Sequence, residues 1–266
     1  MRKLTAFFLC ALILLTCCVP ALAAEPDTKY ADALKTLGLF RGTDKGYELE
    51  KSLTREQGVV MIIRLLGEED RALNFEEPHP FTDLANYAWF SPYAAYAYAK
   101  GITKGVSETA FGYGADMTEA MFLTMLLRVL DYKDANDGSG DFVWSDPFAL
   151  AKDLKIITSQ KEGAFTREAM TERCWHTLSA RFKESSQTLA EKLISAGVFT
   201  QAQKTQAEKF FQTETGVVPA GSGTSGGGSS SGGSSSGGSS GGSGSAPVSE
   251  NYKPVKPNET PRIPMP

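Results

Sequence analysis

The sequence predicts a mainly α-helical protein, in which three tandem helix-loop-helix repeats pack together and extra C-terminal helices and a disordered tail follow. Three observations support this fold class. The body of the chain matches itself when it is shifted by 63 and by 55 residues. Threonines precede apolar runs that have helical spacing. A segment of Gly and Ser with one Thr separates these runs from a proline-rich end.

The N-terminus has the pattern of a secretory signal peptide. Arg2 and Lys3 precede an apolar run over 7–19, and Ala21-Leu22-Ala23 fits the small-x-small rule for cleavage. We therefore expect cleavage after Ala23. The alternative is a membrane anchor, but the apolar run is short for a span of about 20 residues.

Cysteine is scarce once this segment is removed. Cys17 and Cys18 lie near the depth of a lipoprotein cysteine, but neither follows the usual Leu-small-small pattern. Both leave with the signal peptide, as does Cys10, so the mature chain keeps Cys174 alone and forms no internal disulfide. We expect Cys174 to be a buried, inert thiol.

Two blocks carry the internal repeat. A shift of 63 places the turn 38–42 on the turn 101–105, and a shift of 55 places Trp89 on Trp144. The second block begins with a Thr in each unit, in Thr54-Arg55, Thr118-Glu119 and Thr166-Arg167. One unit cannot easily bury its apolar helix face alone, so the three units should pack together.

Each unit is predicted to contain a helix, a turn, an irregular stretch and a second helix. Glycine ends the first helix in two units, since Gly accepts the left-handed conformation found there. Thr54 and Gln57 have the spacing of a capping box at the start of a second helix. The predicted repeat helices are 28–38, 54–67, 92–100, 118–130, 147–155 and 167–180, and the C-terminal helices are 186–196, capped by Ser186, and 200–211.

Charge and the scarcity of histidine exclude several classes of function. Residues 24–219 hold 22 basic and 29 acidic residues, which argues against broad binding to nucleic acid or anionic membrane. His79 and His176 are the only histidines in the sequence, and no nucleophile elbow, phosphate loop or His-Glu-x-x-His motif occurs. We expect no enzyme activity and no cofactor, and a carboxylate-based hydrolase is the weakest alternative.

An acidic loop over 131–141 has some features of a calcium site. Counted from Asp134, the Gly comes one residue too early for an EF-hand, and Ser145 stands where the twelfth-position Glu belongs. We expect a solvated linker here and no metal.

The order of the motifs resembles the S-layer homology repeat. The resemblance rests on the head 81–83 (Phe-Thr-Asp) with Trp89, on the turn 101–105, and on the Thr-Arg start of the second helix, and it covers about residues 28–180. It implies three repeats in one pseudo-three-fold unit. It also implies non-covalent anchoring of a secreted protein to an anionic secondary cell-wall glycan, often capped with pyruvylated N-acetylmannosamine.

The sequence departs from this family pattern in each repeat. Repeat one lacks the Phe-x-Asp head and the Trp. Repeat two has Glu119 where the family has Arg, and the turn 156–160 of repeat three has lost both Gly. We therefore expect repeat two to have lost the basic contact with the glycan.

The resemblance implies a glycan site formed by Arg55, Arg167, Trp89, Asp83, Trp144 and Lys104. The guanidinium fork can hold a carboxylate through two hydrogen bonds, and Trp can cover the apolar face of a sugar ring. Arg55 and Arg167 lie in the first helical turn, where acids are favoured, so a role other than helix stability is indicated. Salt bridges with Glu56 or Glu168 are the alternative.

Other basic and aromatic residues have structural interpretations. Trp89 and Trp144 fit an inter-helix core as well as they fit a sugar site. Arg64 and Arg128 occupy matching positions in the second helices of repeats one and two, and His176 occupies that position in repeat three. A structural pairing near the repeat interface is favoured for them over contact with a ligand. Lys104, which matches Arg41 in the repeat, can also be explained as a basic residue that lies in a turn and is exposed to solvent.

The chain after the helices has two biased segments. Residues 221–245 hold 12 Gly, 12 Ser and one Thr, which is typical of a flexible coil, and six prolines follow over 246–266. The predicted organisation is a signal peptide at 1–23, repeats at 28–70, 79–132 and 142–182, C-terminal helices at 186–213, a Gly/Ser linker at 220–245 and a Pro-rich tail at 246–266.

These observations predict a secreted protein of a bacterial cell wall or S-layer that binds cell-wall polysaccharide through grooves between repeats. The alternative is a degenerate structural or protein-interaction repeat protein of the cell surface that binds no glycan. The Pro-rich tail is a candidate contact for other surface proteins. No nucleic acid partner and no membrane span in the mature chain are expected.

Overall fold

The computed structural model describes residues 27–212, and every structural statement below refers to them. The predicted signal peptide, Gly/Ser linker and Pro-rich tail lie outside this range. Between residues 27 and 212 the chain forms nine α-helices and two 3-10 helices, joined by loops with isolated β-bridges and no strands. The mainly α-helical class is therefore confirmed. None of these helices has the length and apolarity required to cross a membrane.

The helices follow the predicted order, with one addition. In chain order they are α1 Lys29–Thr36, α2 Arg55–Leu65, α3 Glu69–Leu73, α4 Ser91–Ala99, α5 Glu119–Val129, α6 Phe148–Asp153, α7 Arg167–Thr177, α8 Leu189–Ser195 and α9 Gln201–Glu208, and the 3-10 helices are Thr82–Leu84 and Lys209–Phe211. The predicted repeat helices are present with ends that differ by up to three residues. The short helix α3 was not predicted, and α8 is capped by Thr188 instead of Ser186.

A threonine caps each second helix of a repeat, as predicted. At α5 the Thr118 hydroxyl accepts a hydrogen bond from the Met121 N–H (3.2 Å). At α2 the Gln57 side chain accepts one from the Thr54 N–H (3.3 Å), so the predicted capping box is present. Each cap has an extended backbone, which directs the chain before the helix towards other repeats.

Left-handed residues end the first helices. Gly38 and Gly101 have φ values of 76° and 69°, as the sequence predicts. In the third unit, where Gly is missing, Lys155 adopts φ 59° instead. The Ile156 N–H still donates to the Ala151 carbonyl (2.9 Å), which is the same closing bond that the first two units make. Repeat three therefore keeps the turn without glycine.

Contacts among the second helices form the centre of the body. Helices α2, α5 and α7 contact one another in all three pairs. Each first helix packs on the second helix of a different unit: α1 on α7, α4 on α2 and α6 on α5. Large apolar side chains fill the space between them, including Tyr93, Phe90 and Phe122. The repeats therefore share one core.

Backbone hydrogen bonds join the start of one repeat's second helix to the loop of another repeat. The Arg55 N–H donates to the Ala115 carbonyl, and the Arg167 N–H donates to the Lys51 carbonyl, both at 2.8 Å. A β-bridge between Thr54 and Asp116 accompanies the first contact. The side chain that follows each capping Thr is consequently enclosed between two repeats.

The C-terminal helices pack on the repeats. Helix α9 contacts α1. The Phe211 ring stacks on Trp175 with a centroid distance of 4.7 Å and lies 5.2 Å from the Tyr30 ring. Beneath them Cys174 is fully buried, and burial raises the pKa of its thiol far above the usual value. The prediction that Cys174 is buried is confirmed.

Two left-handed glycines give a matched test of the turns. We expect Gly101→Ala to cost about 1–2 kcal/mol of unfolding free energy, because its φ is positive but the added methyl meets no atom within 4 Å. Gly105→Ala should cost clearly more, since its Cβ would lie 2.5 Å from the Ala110 oxygen. Urea unfolding followed by circular dichroism measures both, and equal losses would contradict this packing.

Candidate functional site

Three inter-repeat sites are defined by the first side chain of each second helix. Site 1 is centred on Arg55, site 2 on Glu119 and site 3 on Arg167, and these residues are 5%, 8% and 7% exposed. A charged side chain buried to this extent needs partners, because removal of its hydration is costly. The three sites differ in which partners they supply.

The direct hydrogen-bond partners of Arg55 in site 1 are neutral groups, although the charges of Arg128 and Asp83 also act on it. Its Nε–H donates to the Phe111 carbonyl (2.8 Å), and a terminal N–H donates to the Thr103 hydroxyl (3.2 Å). The guanidinium carbon also lies 5.2 Å from the Phe111 ring centroid, in a cation–π contact. Arg55 forms no ion pair with any carboxylate of residues 27–212. Burial lowers the pKa of Arg55 to about 10, so the group remains a cation at neutral pH.

The Asp83 carboxylate shapes the loop that carries these groups. It accepts hydrogen bonds from the backbone N–H of Phe111 (2.9 Å) and of Gly112 (2.8 Å). Burial alone would raise the pKa of Asp83, but these backbone donors hold it below its usual value. The Phe-x-Asp head of the sequence thus fixes the loop against which Arg55 packs.

Trp89 belongs to an aromatic cluster beside the same loop. Its indole N–H donates to the Tyr113 hydroxyl (3.1 Å), and the ring is half-buried. Tyr113 in turn stacks on Tyr87 with a centroid distance of 3.5 Å. The structure therefore brings Arg55, Asp83 and Trp89 to one loop, with an edge of rings that is partly open to solvent.

Site 2 is closed by a buried ion pair. The Glu119 Oε1 accepts a hydrogen bond from the Arg173 Nε–H at 2.8 Å, and a terminal nitrogen of Arg173 lies 2.7 Å from the same oxygen. The Lys161 backbone N–H donates to Glu119 Oε2 (3.0 Å). The acid that replaces the family's Arg is thus neutralised by a cation from α7. Nothing in the sequence pattern pointed to Arg173.

Site 3 contains a cation with an acidic neighbour. Arg167 Nη1 lies 4.0 Å from the Glu48 carboxylate, which also accepts hydrogen bonds from the Thr43 hydroxyl (2.8 Å) and from Lys51 (2.5 Å). Burial lowers the pKa of Arg167, and the Glu48 charge opposes that shift. The predicted partner of Arg167, Glu168, is not its ion-pair partner in the described structure.

Lys104 and Trp144 lie apart from these groups. The Lys104 ammonium pairs with Asp134 (3.1 Å) and is largely exposed, although Thr103 beside it contacts Arg55. The Trp144 side chain is 46% exposed, so the interpretation of Trp144 as inter-helix core is wrong. Its carbonyl accepts a bond from the Thr124 hydroxyl (2.8 Å).

The matching helix arginines pair with carboxylates, as predicted. Arg64 contacts Glu69 (2.7 Å), and Arg128 contacts Asp134 (2.8 Å). Asp134 is nearly buried in this pair, so the expectation of a solvated linker is wrong for that residue. Among residues 27–212, no group of three or more His, Cys, Asp or Glu side chains is placed to hold a metal ion.

Comparison with known proteins assigns the segment that forms the loop of site 1. The S-layer homology domain model matches residues 80–112, which include Asp83, Trp89, Thr103 and Phe111. Residues 80–112 are thus similar to an S-layer homology domain. The matched S-layer homology segment supplies the partners of Arg55, while Arg55 itself comes from the preceding repeat.

Three similar proteins come from bacterial surfaces, by name. The chain is 28% identical over 146 residues to a middle cell wall protein of Brevibacillus brevis, and this match covers 54% of this chain and 13% of that protein. It is 25% identical over 191 residues to a cell surface protein of Thermoanaerobacter kivui, in a match that covers 70% of this chain and 25% of that protein. It is 28% identical over 149 residues to a surface layer protein of Brevibacillus choshinensis, in a match that covers 52% of this chain and 13% of that protein. The chain thus spans a quarter or less of the length of these relatives.

The ion pair of site 2 can be tested by unfolding. Arg173→Met should lower the free energy of unfolding by about 3–5 kcal/mol, since it leaves the Glu119 carboxylate buried without a cation. Adding Glu119→Gln should recover part of this loss. The control Arg71→Met removes an exposed Arg and should change the unfolding free energy by less than about 0.5 kcal/mol. A small loss for Arg173→Met would show that the pair is not formed.

The Arg128–Asp134 pair predicts a dependence of stability on pH. Hydrogen bonds from Arg128 lower the pKa of Asp134 to about 2 from 3.8, so the folded state gains stability above pH 4. That gain is lost as the pH falls through about 2. Asp134→Asn should therefore cost about 1–2 kcal/mol at pH 7, allowing for solvent screening, and progressively less between pH 4 and pH 2. Thermal unfolding across this range measures it, with the exposed Asp44→Asn as control.

Proposed function

We propose that this chain binds an anionic cell-wall glycan without a covalent bond, and that site 1 is its main binding groove. The observation that carries the proposal is the buried Arg55 cation, which has neutral hydrogen-bond partners and no carboxylate partner among the described residues. Such a cation gains most from an incoming carboxylate, because the guanidinium fork can bind it through two hydrogen bonds.

The geometry of the loop supports access to Arg55. An added Cβ at Gly112 would lie 3.5 Å from Arg55 Cδ and 2.9 Å from Val106, so the bare glycine leaves the backbone close to the cation. Val106, which lies beside this glycine, is largely exposed. The rings of Trp89 and Tyr113 then offer a partly exposed apolar surface for a sugar ring.

The family match and the relatives support a location at the cell surface. Residues 80–112 match the S-layer homology domain model, and the chain is similar to proteins named for the cell wall, the cell surface and the surface layer. A predicted signal peptide at 1–23 agrees with export. A pyruvylated glycan such as pyruvylated N-acetylmannosamine would supply a carboxylate partner for Arg55. Contact of the Pro-rich tail with other surface proteins stays a proposal.

We also propose that the three repeats form a pseudo-three-fold unit. The pairwise contacts among α2, α5 and α7 support it, as does the cyclic order in which α1, α4 and α6 pack on the second helix of another repeat. In this arrangement sites 1, 2 and 3 are equivalent positions. The predicted site residues Arg55, Asp83 and Trp89 belong to site 1, and Arg167 belongs to site 3.

The second candidate function is a structural repeat protein that no longer binds glycan. The closed Glu119–Arg173 pair of site 2 favours it, because a charge that is satisfied internally gains little from a ligand. The partial pairing of Arg167 with Glu48 points the same way. Site 1 is the feature that distinguishes the two functions.

Sedimentation with cell walls tests the proposal. The mature chain should sediment with intact walls and stay in solution with walls stripped of non-peptidoglycan polymer. Arg55→Gln should lower wall binding at least about tenfold, since it removes the cation from site 1. The control Arg41→Gln changes an arginine that is 61% exposed and should leave binding unchanged.

Two outcomes would contradict glycan binding at site 1. Sedimentation that ignores removal of the polymer would show that the polymer is not the ligand. Unchanged binding by a folded Arg55→Gln variant would show that site 1 is not used. Circular dichroism and an unfolding curve establish that this variant is folded, and Arg55→Lys, which keeps the charge, should retain part of the binding.

A further inference from the structure

We infer that Glu48 is a specificity-determining residue that acts as an internal counter-ion at site 3 and weakens the binding of anionic saccharides there. The inference rests on the proposed function, since it concerns the same ligand class. It attributes the difference between sites 1 and 3 in affinity for anionic saccharides to the Glu48 side chain.

The backbone register places Glu48 where site 1 has glycine. The Arg55 N–H bonds to Ala115 and the Arg167 N–H bonds to Lys51, each at 2.8 Å, so residues 51 and 115 are equivalent. Three residues earlier stand Glu48 and Gly112. Both have a positive φ, 50° for Glu48 and 85° for Gly112. A left-handed backbone favours glycine, so a glutamate at this point is held there against its own preference.

The two residues have opposite effects on the neighbouring arginine. At site 1 Gly112 has no side chain, and a Cβ there would lie 3.5 Å from Arg55 Cδ. At site 3 the Glu48 side chain extends to within 4.0 Å of Arg167 Nη1. A ligand carboxylate at site 3 would therefore meet a carboxylate that already faces the cation.

Other contacts hold the Glu48 carboxylate in place. The Thr43 hydroxyl donates to Oε2 (2.8 Å) and Lys51 donates to Oε1 (2.5 Å). The charges of Arg64 and Glu50 also act on Arg167 at this site. Displacement of Glu48 by a ligand would break the Thr43 and Lys51 hydrogen bonds, and its retention would repel the ligand charge. Either event lowers the affinity of site 3 for an anion.

Calorimetric titration with a defined sugar tests the role of Glu48. The probe is the methyl glycoside of 4,6-pyruvylated N-acetylmannosamine, and the protein is the mature chain. The wild-type protein should bind one equivalent of this sugar with the higher affinity, at site 1. Glu48→Gln should tighten binding at site 3 by about tenfold and reveal a second equivalent. Glu48→Gly, which copies site 1, should act in the same way.

Matched variants separate this effect from a general loss of acidic charge. Glu48→Gln combined with Arg167→Gln should return the stoichiometry to one, because the second equivalent requires Arg167. The control Glu184→Gln removes an acid that is 85% exposed and, like Glu48, has a positive φ, and it should leave the titration unchanged. The same sugar without its pyruvyl group should not distinguish Glu48→Gln from wild type, since it has no carboxylate to be repelled.

The outcomes distinguish this inference from the proposed function. If wild type binds and neither Glu48 variant changes stoichiometry or affinity, the inference is overturned while the proposed function stands. If a second, Arg167-dependent equivalent appears but Arg55→Gln binds normally, the inference stands and the assignment of site 1 fails. Absence of binding by wild type and by both Glu48 variants overturns both.

Discussion

The docking of helix N-termini on the loops of other repeats is the constraint on which the three sites depend. The backbone N–H groups of Arg55 and Arg167 are bonded to loop carbonyls of another repeat. A capping threonine with an extended backbone makes this possible, because it turns the preceding chain towards that loop. The next side chain is buried in all three repeats, and the sequence places a charge there in each.

Each repeat compensates for this buried charge differently. Site 1 uses a carbonyl, a hydroxyl and a ring, which satisfy part of the hydrogen-bonding capacity of Arg55 without neutralising its charge. Site 2 uses a full ion pair with Arg173, and site 3 uses a looser one with Glu48. Full pairing favours stability of the free protein, whereas an unneutralised cation favours an anionic ligand. Under the proposed function and the proposed pseudo-three-fold arrangement, the degeneracy of the repeats divides structural and binding roles among equivalent positions.

Local sequence signals predicted the repeat helices to within three residues at each end, because caps and turns depend on neighbouring residues, but they missed α3 and the Thr188 cap of α8. Thr118 and Gly101 act as their residue types suggest, and Arg64 pairs as its repeat position suggests. Contacts between distant segments were not accessible in this way. Neither Arg173 opposite Glu119 nor Glu48 opposite Arg167 has a sequence signal, since both depend on how one repeat docks on another.

The NMR resonance of the Arg55 Nε–H group tests most directly whether Arg55 binds the anionic sugar. In ¹⁵N-detected NMR of the mature chain, the Nε–H resonance of Arg55 reports its contact with the Phe111 carbonyl and any approaching carboxylate. Addition of the pyruvylated sugar should shift this resonance, and its midpoint should match the dissociation constant measured by titration. A saturating titration that shifts only exposed arginines, such as Arg41 or Arg71, would contradict binding at a buried, unneutralised cation between the repeats.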